Sequence, residues 1–166
     1  MFKIPRNVSV SHVAYTTGSD TWQMEARRYR YTFPYLVGNI TEIAGITYLC
    51  ANREHEELVL TLVSSSFEDW QLIVNVASEE FKFKLEYIVY VTERRRFHET
   101  NLRSSFNILH WHTHDLEEIH YKCVSPEGAI DVVIRADSME EWSVHVTTRK
   151  RKPREKTAAS SADVTE

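Results

Sequence analysis

The chain reads as an all-β protein, an antiparallel β-sandwich of about eight strands. Three observations predict this. Short runs rich in Val, Ile, Tyr, Phe and Thr recur along the sequence, separated by charged or small residues. Several of them alternate apolar and polar with the period of two that a half-buried strand requires. Apolar residues make up 42% of the 166, enough for a globular core in one domain.

In chain order, residues 1–21 are an N-terminal arm or first strand. Residues 22–148 form the sandwich. Trp22, Met24 and Ala26 alternate in one phase and Tyr29, Tyr31 and Phe33 in the other, so a bulge is expected near Arg27 and Arg28. Strands are expected over 45–51, 56–64, 69–77, 80–92, 129–136 and 141–148. Leu58, Leu60 and Leu62 share one face. Phe81, Phe83, Leu85 and Tyr87 share another, opposite Lys82, Lys84 and Glu86. The link from Ala77 to Glu80 is short enough for a tight hairpin, and Asp137 to Glu140 reads as a turn. Trp70 and Phe83 belong to the expected core, and Trp22, Trp111 and Trp142 are read as core-filling more readily than ligand-stacking.

Residues 149–166 carry six basic and three acidic side chains, a net +3, leaving the body of the chain near −7. That body is a poor match for a phosphate backbone, so no nucleic-acid partner is expected. The tail is low in apolar residues and should not order itself. Its basic cluster around Pro153 has the composition of a nuclear-localisation signal or of a solubilising tail, which places the protein in the cytoplasm, the nucleus or both. No apolar run reaches the roughly 18 residues a membrane span needs, so no membrane partner is expected. Cys50 and Cys123 are too few for a disulfide framework and read as reduced thiols in or near the core.

No glycine-rich phosphate loop, nucleophile elbow or paired-cysteine motif occurs. The one cluster with the look of chemistry is His110, His112 and His114, whose spacing places all three on one face of a strand. With Glu118, His112 and His114 have the spacing of a first cupin motif. A metal-dependent enzyme with those three ligands is therefore the competing expectation. The second cupin motif would want a histidine near position 131, where Asp131 stands, so the leading expectation is no enzyme, no cofactor and no metal. Glu93, Arg94, Arg95 and Arg96 read as a solvated turn, or else as a contact for an acidic peptide.

Several stretches together resemble the TRAF-like MATH domain of ubiquitin-ligase adaptors. Arg30 to Phe33 followed by Asn39-Ile40-Thr41 is similar to the family's opening strand and turn. Gly45 to Cys50 and Leu58 to Leu62 are similar to its next two strands, and Trp70 stands where many divergent members carry a tryptophan. Phe106 to Trp111, Asp115-Leu116 and Tyr121 to Ile130 resemble its closing motifs. The family's tryptophan-glycine pair is replaced here by Asn101 to Ser104, and Thr61 stands where a tyrosine is common. The resemblance implies a module that binds a short peptide or partner protein, as an adaptor linked to ubiquitin-dependent degradation. The peptide would pair with an edge strand. The lining implied for its groove is Thr61, Phe83, Tyr87, Phe97 and Arg103. A scaffold that self-associates through exposed strand edges, giving a homo-oligomer, is a further alternative.

Overall fold

The structure is a computed structural model and describes residues 3–17, 20–25, 43–64, 69–100, 115–136 and 141–149. These hold ten strands: β1 (Ser9–Thr16), β2 (Thr21–Glu25), β3 (Gly45–Ala51), β4 (Glu57–Ser64), β5 (Trp70–Val76), β6 (Glu79–Thr92), β7 (Arg96–Glu99), β8 (Leu116–Ser125), β9 (Gly128–Ala136) and β10 (Trp142–Arg149). The all-β, antiparallel expectation holds throughout. Among the described residues no helix is long and apolar enough to cross a membrane.

All ten strands belong to one sheet in the order β10-β9-β8-β6-β5-β4-β3-β1-β2, with β7 on β6. The sheet folds over on itself in a sandwich-like way, and its ends meet where Ser9 of β1 pairs with Ser143 of β10. The Val144 amide donates to the Val8 carbonyl beside that pair at 2.9 Å. Eight strands thus form a closed circuit, with β2 and β7 attached outside it. Closure removes most of the unpaired edge that an open sheet would present.

Period-two alternation decides which side chains fill the interior. Leu58, Leu60 and Leu62 of β4 point inward, as do Trp70, Leu72, Val74 and Val76 of β5, all within one buried cluster. Residues 9–16, expected as an arm or first strand, are a full member of the sheet and send Val10, Val13 and Tyr15 into the same cluster. Val76 pairs with Glu79 across a two-residue turn. Both turn residues, Ala77 (φ 52) and Ser78 (φ 65), are left-handed. That is the turn type whose twist matches a β-hairpin, formed here without glycine.

One expected face is corrected. Phe83 and Leu85 point inward, but the β6–β8 register shifts between Leu85 and Tyr87. The extra residue, Glu86, reverses the alternation. Ile88, Tyr90 and Thr92 then take the inward positions, and Tyr87 moves to the outer face.

The interior is braced by a polar contact. Tyr48 on β3 and Tyr121 on β8 lie on opposite sides of the circuit, and their hydroxyls meet at 2.7 Å. Both rings are about 1% exposed. Burial pushes both phenol pKa values above their ordinary range. Tyr48→Phe or Tyr121→Phe alone should cost about 1–2 kcal/mol, because each leaves the other hydroxyl buried and unbonded. The double variant should cost less than the two single costs together. A double-mutant cycle in urea measures the coupling, and additive costs would show that the two hydroxyls do not depend on each other.

The bulge at Arg27–Arg28, the strand at 29–33, the turn at 137–140, the tail from 150, Trp111 and the histidines at 110, 112 and 114 lie outside the described residues.

Candidate binding face

The outer face of β6 to β10 carries rows of histidine and charged side chains. Cross-strand register builds it row by row. His98 pairs with Val89, Val89 with His120, His120 with Val133, and Val133 with His145. Three histidines from three strands therefore lie in one line, spaced by two valines. Directly paired residues share a face, so all five side chains are on the outside. The next row runs Arg96, Val91, Glu118, Arg135 and Ser143.

Two hydrogen-bonded charge networks sit on this face. In the first, His120 Nε2 donates to Glu118 Oε1 at 2.6 Å, and Arg135 Nε donates to Glu118 Oε2 at 3.2 Å. A carboxylate can only accept, so the His120 proton is on Nε2. Its Nδ1 is buried without a hydrogen-bond partner. Burial raises the Glu118 pKa, but the His120 hydrogen bond and the Arg135 charge outweigh it and hold the carboxyl below its ordinary value of 4.5. A carboxyl depressed in the folded state adds stability above its unfolded pKa, and that stability is lost as pH falls through the folded value. The acid limb of the melting-temperature profile below pH 4.5 should therefore be shallower in Glu118→Gln. Parallel profiles for the variant and the wild type would exclude this coupling.

In the second network Asp131 accepts from Lys122 Nζ at 2.9 Å and from Arg149 Nε. Arg149 Nη2 also lies 3.9 Å from Glu86 Oε1.

β7 closes one side of the face. The Tyr87 and His98 rings stack at 4.4 Å between centroids. Val89, beside them, is 4% exposed although it faces outward and lies outside the core cluster. The Arg95 guanidinium carbon stands 4.4 Å from the Phe97 ring centroid. Arg94, Arg95, Arg96 and His98 are exposed.

Of the expected groove residues, Tyr87 and Phe97 lie on the paired strands β6 and β7 but on opposite faces, Tyr87 outward against His98 and Phe97 on the inner side opposite Tyr90. Thr61 lies on β4, outward, with its hydroxyl 3.4 Å from that of Thr47. Phe83 is 4% exposed and belongs to the core, so it is not available to line a groove. Its side chain follows the inward alternation that Leu85 continues. Arg103, His112 and His114 lie outside the described residues. Glu118, expected as the third ligand of a metal site, is instead bonded to His120 and Arg135. Among the described residues no group of three His, Cys, Asp or Glu side chains could hold a metal ion. Cys50 and Cys123 are buried free thiols, and burial raises both, Cys50 to about 12.

Sequence reasoning missed His98, His120 and Arg135. The alternation of Glu118, His120 and Lys122 was a usable signal for one outer row. The stacking of Tyr87 on His98 had none, because it depends on the bulge at Glu86.

Two surface clefts of about 550 Å³ each are also open, the first at the β10 end of this face. One opens where β1 and β10 part, beside Ser9, Asn52, Arg53, Glu141, Ser143 and His145. Its polar groups largely serve one another: Ser143 Oγ is 3.0 Å from His145 Nε2, and Ser9 Oγ donates to Glu141 at 3.2 Å. Asn52 organises the β3–β4 loop, taking the amides of Glu54 and Glu56 and donating to the Arg6 carbonyl. The other cleft lies along the N-terminal arm, from Lys3 to Arg6.

Comparison of the chain with protein-family models, with curated proteins and with solved structures finds no match in any of the three.

Proposed function

We propose that the protein is an interaction module that takes up an extended segment of a partner protein as an added strand on β7. One observation carries this reading: β7 has an edge with no strand paired to it among the described residues, next to an aromatic and cationic surface. The hydrogen-bond pattern says which groups that edge offers. The Thr92 amide donates to the Arg95 carbonyl, so Arg95, Phe97 and Glu99 turn their backbone groups toward β6. Arg96 and His98 turn theirs away. Added strands gain affinity from such main-chain bonds and specificity from alternate side-chain positions. The resemblance to TRAF-like domains supports the same reading and adds a setting, recruitment of a partner for ubiquitin-linked degradation.

The test is amide exchange. A pool of extended, Thr- and Val-rich peptides should slow exchange at the amides of Arg96 and His98. His98→Pro removes an outward amide without touching a bond to β6, and should abolish the effect while the protein still melts cooperatively. Protection that appears elsewhere, at the β1–β10 cleft for example, would move the site and overturn this proposal.

A further inference from the structure

The charges around β7 specify the segment it takes up, an inference that rests on strand addition there. Arg96 and His98 face outward, and Phe97 between them faces the interior side. The same alternation is imposed on any strand that pairs with them. Its residues opposite Arg96 and His98 share the outer face, and the residue between them meets the half-buried edge of Phe97.

Among the described residues no carboxylate forms an ion pair with Arg94 or Arg96; the ion pairs engage Lys82, Lys122, Arg135, Arg149 and His120. The nearest outward acid in the Arg96 row is Glu118, two strands away beyond Val91, roughly 9–10 Å by the usual strand spacing. Its oxygens are already bonded to His120 and Arg135. Glu99 pairs with Ile88, an inward position, and so belongs to the opposite side of β7.

We infer that the segment bound by β7 alternates acidic, apolar and acidic side chains, its two carboxylates opposite Arg96 and His98 and its apolar residue against Phe97. A second copy pairing β7 to β7 would put Arg96 and His98 against their own kind, which disfavours self-association here.

Three synthetic peptides of equal length test this, centred on Glu-Val-Glu, Gln-Val-Gln and Lys-Val-Lys between threonines. Affinity and amide protection at Arg96 and His98 are read together. The Glu peptide should bind about tenfold tighter than the Lys peptide, the gap expected when the exposed pair at Arg96 changes from attraction to repulsion and the His98 ring N–H loses a carboxylate acceptor. The Gln peptide should fall between them. Arg96→Glu, an exposed site whose melting temperature should not move, should reverse the order of the Glu and Lys peptides. If the Gln peptide protects both amides and binds as tightly as the Glu peptide, strand addition stands and the charge specificity is overturned. If no peptide protects either amide, strand addition itself fails and takes the specificity with it. Protection of both amides by protein concentration alone, with a dimer in sedimentation, would make a second copy the occupant and overturn the acidic segment.

Discussion

Trp70→Ala should destabilise the protein by about 3–5 kcal/mol, as truncations of large buried aromatics do. Trp70 is 2% exposed and begins β5, where it packs in the cluster with Leu72 and Val74. It faces Ser64 of β4 on one side, and β6 lies on the other. Removing the indole deletes apolar burial and leaves a void that the closed circuit cannot collapse without shifting strands bonded on both edges. Burial dominates over strand propensity here, which spans only about 1 kcal/mol. Urea unfolding followed by the fluorescence of the remaining tryptophans gives the cost. A variant as stable as wild type would mean that Trp70 is not part of the core.

Asp131→Ala should cost about 2–3 kcal/mol, far more than an exposed ion pair loses. The side chain is 13% exposed and serves two cations, Lys122 (18% exposed) and Arg149 (37% exposed). Without it, Lys122 and Arg149 remain side by side, partly removed from water, with no shared counter-charge. Glu80→Ala is the contrast: its partner Lys82 is 3.8 Å away and both side chains are more than half exposed. That loss should lie within about 0.5 kcal/mol of zero. Adding Lys122→Met to Asp131→Ala should recover part of the cost, because the stranded charge is then gone. Equal costs for the Asp131 and Glu80 variants would show that the network is as well solvated as an ordinary surface pair.

The two predictions draw on different layers of the fold, and those layers were not equally legible. The strands of β4, β5 and the first half of β6, the hairpin at Ala77–Ser78 and the place of Trp70 followed from alternation and turn length alone. These are short-range properties: inward and outward positions repeat every two residues, and burial of the apolar set selects the phase. Tyr87 marks where that reasoning stops. A single extra residue at Glu86 reverses the phase, and the apolar run Phe81, Phe83, Leu85 and Tyr87 continues unbroken across it, so nothing local marks this bulge.

What the amino-acid sequence determined by itself was therefore the all-β class, most strand positions and the apolar side of each strand. Tertiary structure alone decided that the sheet closes through Ser9 and Ser143, 134 residues apart. It also decided that Tyr87 meets His98, and that Glu118 and Asp131 sit among cations from neighbouring strands. The reason is physical. Alternation is written within each strand, whereas a row across the sheet depends on the register of every pairing along it, and each bulge resets that register for all rows beyond.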